Sequence, residues 1–327
     1  MKNKKLLSLA LATLMMIGLF AGCSAGTLDI HEIQSQEGAI IDLSLEMVPL
    51  SASPAVSTML MPVASAKLEK KNDRAIIDYS NTADGYVMVR WLDTKTTRPL
   101  RVAIKGPVNE NQYVYTLNKD SKFEVFPLSD GNGKYTIMVC EQTEGAKFAI
   151  ICSQVTEVKL KDEFAPFIRP NQYVNYNKDS KVVAKAVELM KDKKELNDKI
   201  AVVYEYVVNN LSYDKELAQN VKSGYLPDVD AVMAKGKGIC FDYAAVMAAM
   251  LRSQGIPTRL VVGYAPKVLH AWLDVYSEDK GWISATIYFD GESWKLMDPT
   301  YESTSNNSSE FRNFVGDGNN YTVKYLY

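Results

Sequence analysis

The pattern of apolar and polar positions changes period along the chain, and the changes mark its organisation. From Ala75 to Leu160, short apolar runs alternate with turn-forming residues at regular spacing, as in β-strands. The predicted strands are Ala75–Tyr79, Tyr86–Trp91, Leu100–Lys105, Gln112–Leu117, Phe123–Phe126, Tyr135–Cys140 and Lys147–Cys152, with a last one over Val155–Leu160. Seven or eight short strands in about 90 residues predict an all-β sandwich of immunoglobulin-like size. Pro166 to Pro170 then interrupt the pattern, and helical spacing takes over. Ser180 opens a helix with Val182, Val183, Ala186, Val187 and Met190 on one face. Ile200, Val203, Tyr204, Val207, Val208 and Leu211 form a second buried stripe.

A third helix is predicted after Gly236-Lys237-Gly238-Ile239-Cys240. Ala244, Met247, Met250 and Leu251 share its apolar face, Gly255 suits the residue past its end, and Pro257 prevents continuation. The helix should start at or just after Cys240, with Gly236 and Gly238 letting the backbone turn into it. A thiol at a helix N-terminus meets the positive end of the macrodipole, which favours thiolate. The free N–H groups there can also stabilise an oxyanion. Asp242 reads as a first-turn acid interacting with the same dipole.

The chain has only two histidines, His31 and His270, so the choice of a base for Cys240 is short. His270-Ala271-Trp272-Leu273-Asp274-Val275-Tyr276 alternates like a strand, with His270 and Trp272 on one face and Leu273 and Val275 on the other. Ser293 to Asp298 predicts a second strand, stopped by Pro299 and ending in an acid. If the two strands are neighbours, Asp298 can orient the imidazole of His270 towards Cys240, the arrangement a thiol nucleophile requires.

Gly-Lys-Gly-Ile-Cys240-Phe-Asp-Tyr-Ala, then Leu-Arg-Ser-Gln-Gly-Ile-Pro-Thr-Arg, Val-Val-Gly-Tyr, His270-Ala-Trp and Asp298-Pro-Thr occur in that order. This set resembles the transglutaminase-like superfamily of bacterial surface and secreted proteins, over roughly Asp179 to Tyr301. The resemblance implies an α+β fold with a papain-like core, in which helices pack on an antiparallel sheet. It assigns Cys240 as nucleophile, His270 as general base and acid, and Asp298 as the residue that orients the histidine. Tyr213 and Tyr225 precede the nucleophile, where related enzymes supply oxyanion-stabilising side chains, and Trp272 is a candidate for the cleft. The expected activity is acyl transfer on amide bonds of a protein, peptide or cell-wall peptide through a thioester. Water is the default acceptor, which favours peptidase or deamidase action over cross-linking. The alternative is a non-catalytic binding or scaffolding module of the same fold.

Charge and composition narrow the remaining classes. Formal charge is −2, so bulk electrostatics offers nucleic acid no attraction. No P-loop, dinucleotide fingerprint or paired Cys-x-x-Cys zinc signature is present, and no cofactor or metal is expected. Lys2, Lys4 and Lys5 precede an apolar run from Leu6 to Phe20, the layout of an export signal. Phe20-Ala21-Gly22-Cys23 resembles a bacterial lipobox, which predicts cleavage after residue 22 and lipidation of Cys23. Acyl chains there would hold the protein to the outer face of a membrane. Residues 23–70, with Ser- and Ala-rich stretches around Pro54 and Pro62, read as a tether, 71–162 as the β-sandwich and 163–327 as the catalytic domain. Cys140 and Cys152 end successive strands, where a disulfide and two buried thiols explain the spacing equally well.

Overall fold

Alternation of apolar residues between Ala75 and Val158 does produce strands, and they assemble into two separate sheets. The computed structural model describes residues 59–265, 268–278, 281–284, 287–289, 294–296 and 322–327. Its first strands are β1 (Glu69–Lys71), β2 (Ala75–Asp78), β3 (Tyr86–Trp91), β4 (Leu100–Lys105), β5 (Tyr113–Thr116), β6 (Phe123–Pro127), β7 (Gly133–Gln142) and β8 (Phe148–Val158). They form two four-stranded antiparallel sheets, ordered β1-β2-β3-β6 and β5-β4-β7-β8. Ile77, Val87, Val89 and Trp91 of the first sheet and Val102, Ile104, Ile137 and Val139 of the second join one apolar cluster. Burying each such side chain stabilises the fold by about 1.5–3 kcal/mol.

Two details depart from expectation. The strands expected over Lys147–Cys152 and Val155–Leu160 are one continuous strand, β8, because Ser153 and Gln154 remain in register with Met138 and Ile137. β8 lies at the edge of its sheet with outward positions in water, so polar residues do not break it. β1 falls at the end of the stretch read as tether, where it pairs with β2.

The two cysteines are also placed. A register shift between Val139 and Cys140 sets Cys152 opposite Val139, while Cys140 faces Ile150. Cys152 belongs to the main core, and Cys140 to a small cluster with Ala103, Met138 and Phe148. Both are buried free thiols. Burial raises both pKa values, that of Cys140 to about 11.

The second half begins against the sheets. Gly85, with φ of +81°, approaches Pro166 so closely that a Cβ would lie 2.5 Å from the proline nitrogen. Gln172 exchanges two bonds with the backbone of Thr116, donating to its oxygen at 2.6 Å and accepting from its nitrogen at 3.1 Å. Among the described residues five helices follow: α1 (Lys181–Met190), α2 (Leu196–Asn210), α3 (Lys215–Asn220), α4 (Val229–Lys235) and α5 (Cys240–Ser253). In α1 the buried stripe is Val182, Ala186 and Met190, while Val187 faces solvent. α2 buries Ile200, Val203, Tyr204 and Val207 as its spacing predicts.

Short strands β9 (Ser212–Tyr213) and β10 (Lys237–Gly238) pair in parallel. The main sheet contains β11 (Thr258–Ala265), β12 (Val268–Ser277), β13 (Gly281–Ser284) and β16 (Thr322–Leu326), in the order β13-β12-β11-β16. β14 (Ile287–Phe289) pairs with β15 (Trp294–Leu296). α5 packs against β11, β12, α1, α2 and α4 and is buried all round from Asp242 to Ser253, rather than on a single face. Its Ala-rich sequence allows neighbours to approach closely on every side. A Schellman motif ends it: Ile256 N–H donates to Leu251 O and Gly255 N–H to Arg252 O, both at 3.0 Å, with Gly255 at φ +75°.

Candidate active site

The approach to Cys240 is held from both sides. Gly236 ends α4 in a left-handed conformation, φ +63°, and redirects the chain into β10. Ser212 N–H donates to Gly236 O at 3.0 Å and Asp214 N–H to Gly238 O at 2.8 Å, so β9 fixes the strand before the thiol. Asp214 caps α3 and is buried. Its carboxylate accepts from Leu217 N–H at 2.9 Å and pairs with Lys235 at 2.9 Å and Lys237 at 3.2 Å. The Leu217 N–H, then the Lys235 ammonium, hold its pKa well below the usual carboxylate range.

Ile239 is the extended N-cap of α5 and Cys240 is its first helical residue, as the sequence predicts. The thiol is free and half-buried. In the first turn Asp242 N–H already donates to Ile239 O at 2.9 Å, so a developing oxyanion near the sulfur would draw on the N–H groups of Cys240 and Phe241. Asp242 lies two residues on and is fully buried. Its carboxylate accepts the Ile239 N–H at 2.8 Å and the Tyr225 hydroxyl at 2.8 Å. A Cβ on Gly238 would lie 2.7 Å from the Asp242 Cβ, so only glycine leaves room for this carboxylate. Burial raises the pKa of Asp242, against the Ile239 N–H and the Tyr225 hydroxyl, which lower it.

The other half of the site is the β11–β12 hairpin. Gly263 pairs with His270 and Val261 with Trp272. The His270 and Trp272 rings stack 6.4 Å apart at 23°, and both residues are buried. Ala271, Leu273 and Val275 alternate to the opposite face and join the core that contains α5. A side chain at Gly263 would come within 2.6 Å of Trp272.

Topology sets which ends of these elements meet. α5 leads through Gln254–Pro257 into β11 and packs on both β11 and β12. The 14 residues of α5 rise about 21 Å, and about 20 Å along β11 reaches Gly263 and Tyr264. An α5 laid antiparallel to β11 would, by those lengths, set Cys240 level with the Gly263–His270 pair.

The remaining candidates are less concentrated. Asp298 and Cys23 lie outside the described residues. The strand leading towards Asp298 is present as β15, but it pairs with β14, whereas the neighbours of β12 are β11 and β13. Among the described residues β15 is therefore not a sheet neighbour of β12, and the placement of Asp298 itself lies outside them. Tyr213 is half-buried in β9. Tyr225 touches the site through Asp242, and Trp272 through its stacking on His270. The buried role of Asp242 goes beyond the dipole contact read from sequence; the Gly238-x-x-x-Asp242 spacing is its signal.

The sequence model of the transglutaminase-like superfamily matches residues 183–287. Those residues form a transglutaminase-like domain. The match includes both Cys240 and His270 and stops short of Asp298. An uncharacterized protein of Bacillus subtilis, YebA, is 22% identical over 241 residues, covering 62% of this chain and 33% of that protein. A protein-glutamine gamma-glutamyltransferase of Pseudomonas aeruginosa is 33% identical over 79 residues, or 20% of this chain and 10% of the relative. The chain thus spans a third or less of the length of these relatives. Among solved structures, the periplasmic domain of TgpA from Pseudomonas aeruginosa covers 64% of this chain and 92% of its own, at 18% identity and a TM-score of 0.31. The transglutaminase-like domain is an α+β unit, with helices packed on an antiparallel sheet.

Proposed function

We propose that the protein is an exported cysteine-dependent acyl-transfer enzyme acting on amide bonds of proteins, peptides or cell-wall peptides. The observation that carries this reading is the placement of Cys240 at the first residue of a helix that packs on β11 and β12, the hairpin bearing His270. In this reading His270 takes the thiol proton as the sulfur adds to the amide carbonyl. The proton passes to the departing amine, leaving a thioester on Cys240. Water, deprotonated by His270, then adds to the thioester and releases the acid and the free thiol. Asp298 orients the imidazole, first-turn amides of α5 receive the oxyanion, and Tyr213 is a further donor candidate. We favour hydrolysis over cross-linking because water needs no binding site of its own.

Two further elements belong to the proposal. Cys23, lipidated after removal of residues 1–22, would anchor the protein to the outer face of a membrane and leave a formal charge of −5. The two N-terminal sheets, packed as an immunoglobulin-like sandwich, would space the catalytic domain from that surface.

Labelling tests the central claim. Iodoacetamide at neutral pH should alkylate Cys240 rapidly in the folded protein, and His270→Ala should slow alkylation at least tenfold. Equal, slow labelling in both proteins would refute catalysis and favour a binding module of the same fold.

A further inference from the structure

We infer that Tyr225 and Asp242 form a positioning latch that ties the α3–α4 loop to the first turn of α5 and so aims Cys240. The inference rests on Cys240 being the nucleophile. Three observations meet at one carboxylate. Asp242 is fully buried, accepts the N–H of the residue immediately before the nucleophile, and accepts the hydroxyl of a tyrosine from another segment. Gly238 is stripped of a side chain where that carboxylate passes.

The geometry gives each contact a separate task. Asp242 removes the Ile239 N–H from competition and fixes the peptide that leads into Cys240. The direction of the Cys240 amide and of its Cα–Cβ bond follows from that peptide. Tyr225 lies in the loop between α3 and α4, about fifteen residues before the thiol in sequence. Its hydroxyl has one proton, and the 2.8 Å bond gives that proton to Asp242. Tyr225 therefore acts through Asp242, as a positioning residue, and not as an oxyanion donor.

A small error in aim is costly, since misplacement of a reacting group by about 1 Å can lower a rate roughly a hundredfold. Removing the Tyr225 hydroxyl leaves the carboxylate held by Ile239 alone, free to swing about that single bond. The loop then loses its hold on the helix start without any loss of the core beneath.

The experiment compares wild type, Tyr225→Phe, Asp242→Asn and Asp242→Ala, using p-nitrophenyl acetate as acyl donor. The burst of p-nitrophenolate reads acylation of Cys240, intact mass reads the acyl-enzyme, and thermal melting reads the fold. Tyr225→Phe should melt within a few degrees of wild type, yet acylate roughly tenfold more slowly at unchanged KM. Asp242→Asn should retain more of the rate than Asp242→Ala, because its amide can still accept from Ile239 and donate to the Tyr225 oxygen. A wild-type burst unaltered in Tyr225→Phe would overturn the latch alone. Burst rates that merely track melting temperature across the four proteins would do the same, by reducing the pair to a structural contact. Absence of any burst or Cys240 acyl adduct in wild type would remove the nucleophile, and the latch with it.

Discussion

Gly238 and Asp242 are in such close contact that the first would lose its place if it had a side chain. An added Cβ meets the Asp242 Cβ at 2.7 Å and its Oδ2 at 2.9 Å. Gly238→Ala must push the carboxylate away from the Ile239 N–H or displace β10 from β9. The expected cost is about 1–3 kcal/mol. Thermal melting should show the loss, and the rate of Cys240 alkylation should fall with it even at temperatures where the variant is folded.

Arg252 is a second buried charge on α5, and its role is structural. Its guanidinium is fully buried and donates to Thr258 O at 2.8 Å, to Arg169 O at 2.9 Å and to Tyr327 O. Burial lowers its pKa to about 10, which still leaves it protonated at neutral pH. Arg252→Met fills much of the volume but removes a donor from all three oxygens, of which Tyr327 O keeps another, the Leu260 N–H at 2.9 Å. At about 1–3 kcal/mol for each unsatisfied group, the variant should be severely destabilised. Amide hydrogen exchange in Thr322–Leu326 should rise first, since one of those oxygens belongs to the residue that follows β16.

Asp214 gives stability a defined pH dependence. Its native pKa is held below the ordinary aspartate value of about 4. The unfolded chain therefore takes up the proton first as pH falls. The stabilisation is fully present above about pH 4 and is lost as pH drops through the lower native value. Asp214→Asn should melt below wild type at pH 7, and the gap should narrow progressively below pH 4. A gap that stayed constant down to pH 2 would contradict the pairing with Lys235 and Lys237.

Cys140 and Cys152 should behave as protected thiols. They lie on opposite faces of their sheet, in different clusters, and burial disfavours their thiolates. Mass mapping after brief iodoacetamide treatment should find both unmodified in native protein and both modified in denaturant. Mild oxidation of the native protein should leave them unlinked.

What the sequence revealed follows from how local each determinant is. The start of α5 at Cys240 was legible because glycines, an apolar period and Gly255-Ile256-Pro257 all act within a few residues. The strands were legible because alternation is local too. The merging of β8 was not, since Ser153 and Gln154 read as a break until their partners Met138 and Ile137 are known. Val187 was placed inward by helical spacing, but α1 needs only the narrower stripe of Val182, Ala186 and Met190. The site divides in the same way. The face shared by His270 and Trp272 followed from strand alternation, whereas the bond from Tyr225 to Asp242 spans two segments and no period announces it.

The position of β16 has a consequence for how the chain is assembled. β16 supplies the partner of β11 on the side away from β12, and it follows both strands in the chain. On a ribosome, the helix carrying Cys240 and the β11–β12 hairpin emerge well before that partner. Until Thr322–Leu326 arrive, Val261 and Val262 border an open sheet edge and Arg252 lacks one of its three carbonyl acceptors. An exposed apolar edge is a template for pairing with another chain. Retarding or deleting β16 should therefore favour aggregation of newly made protein over the accumulation of a soluble, partly active form.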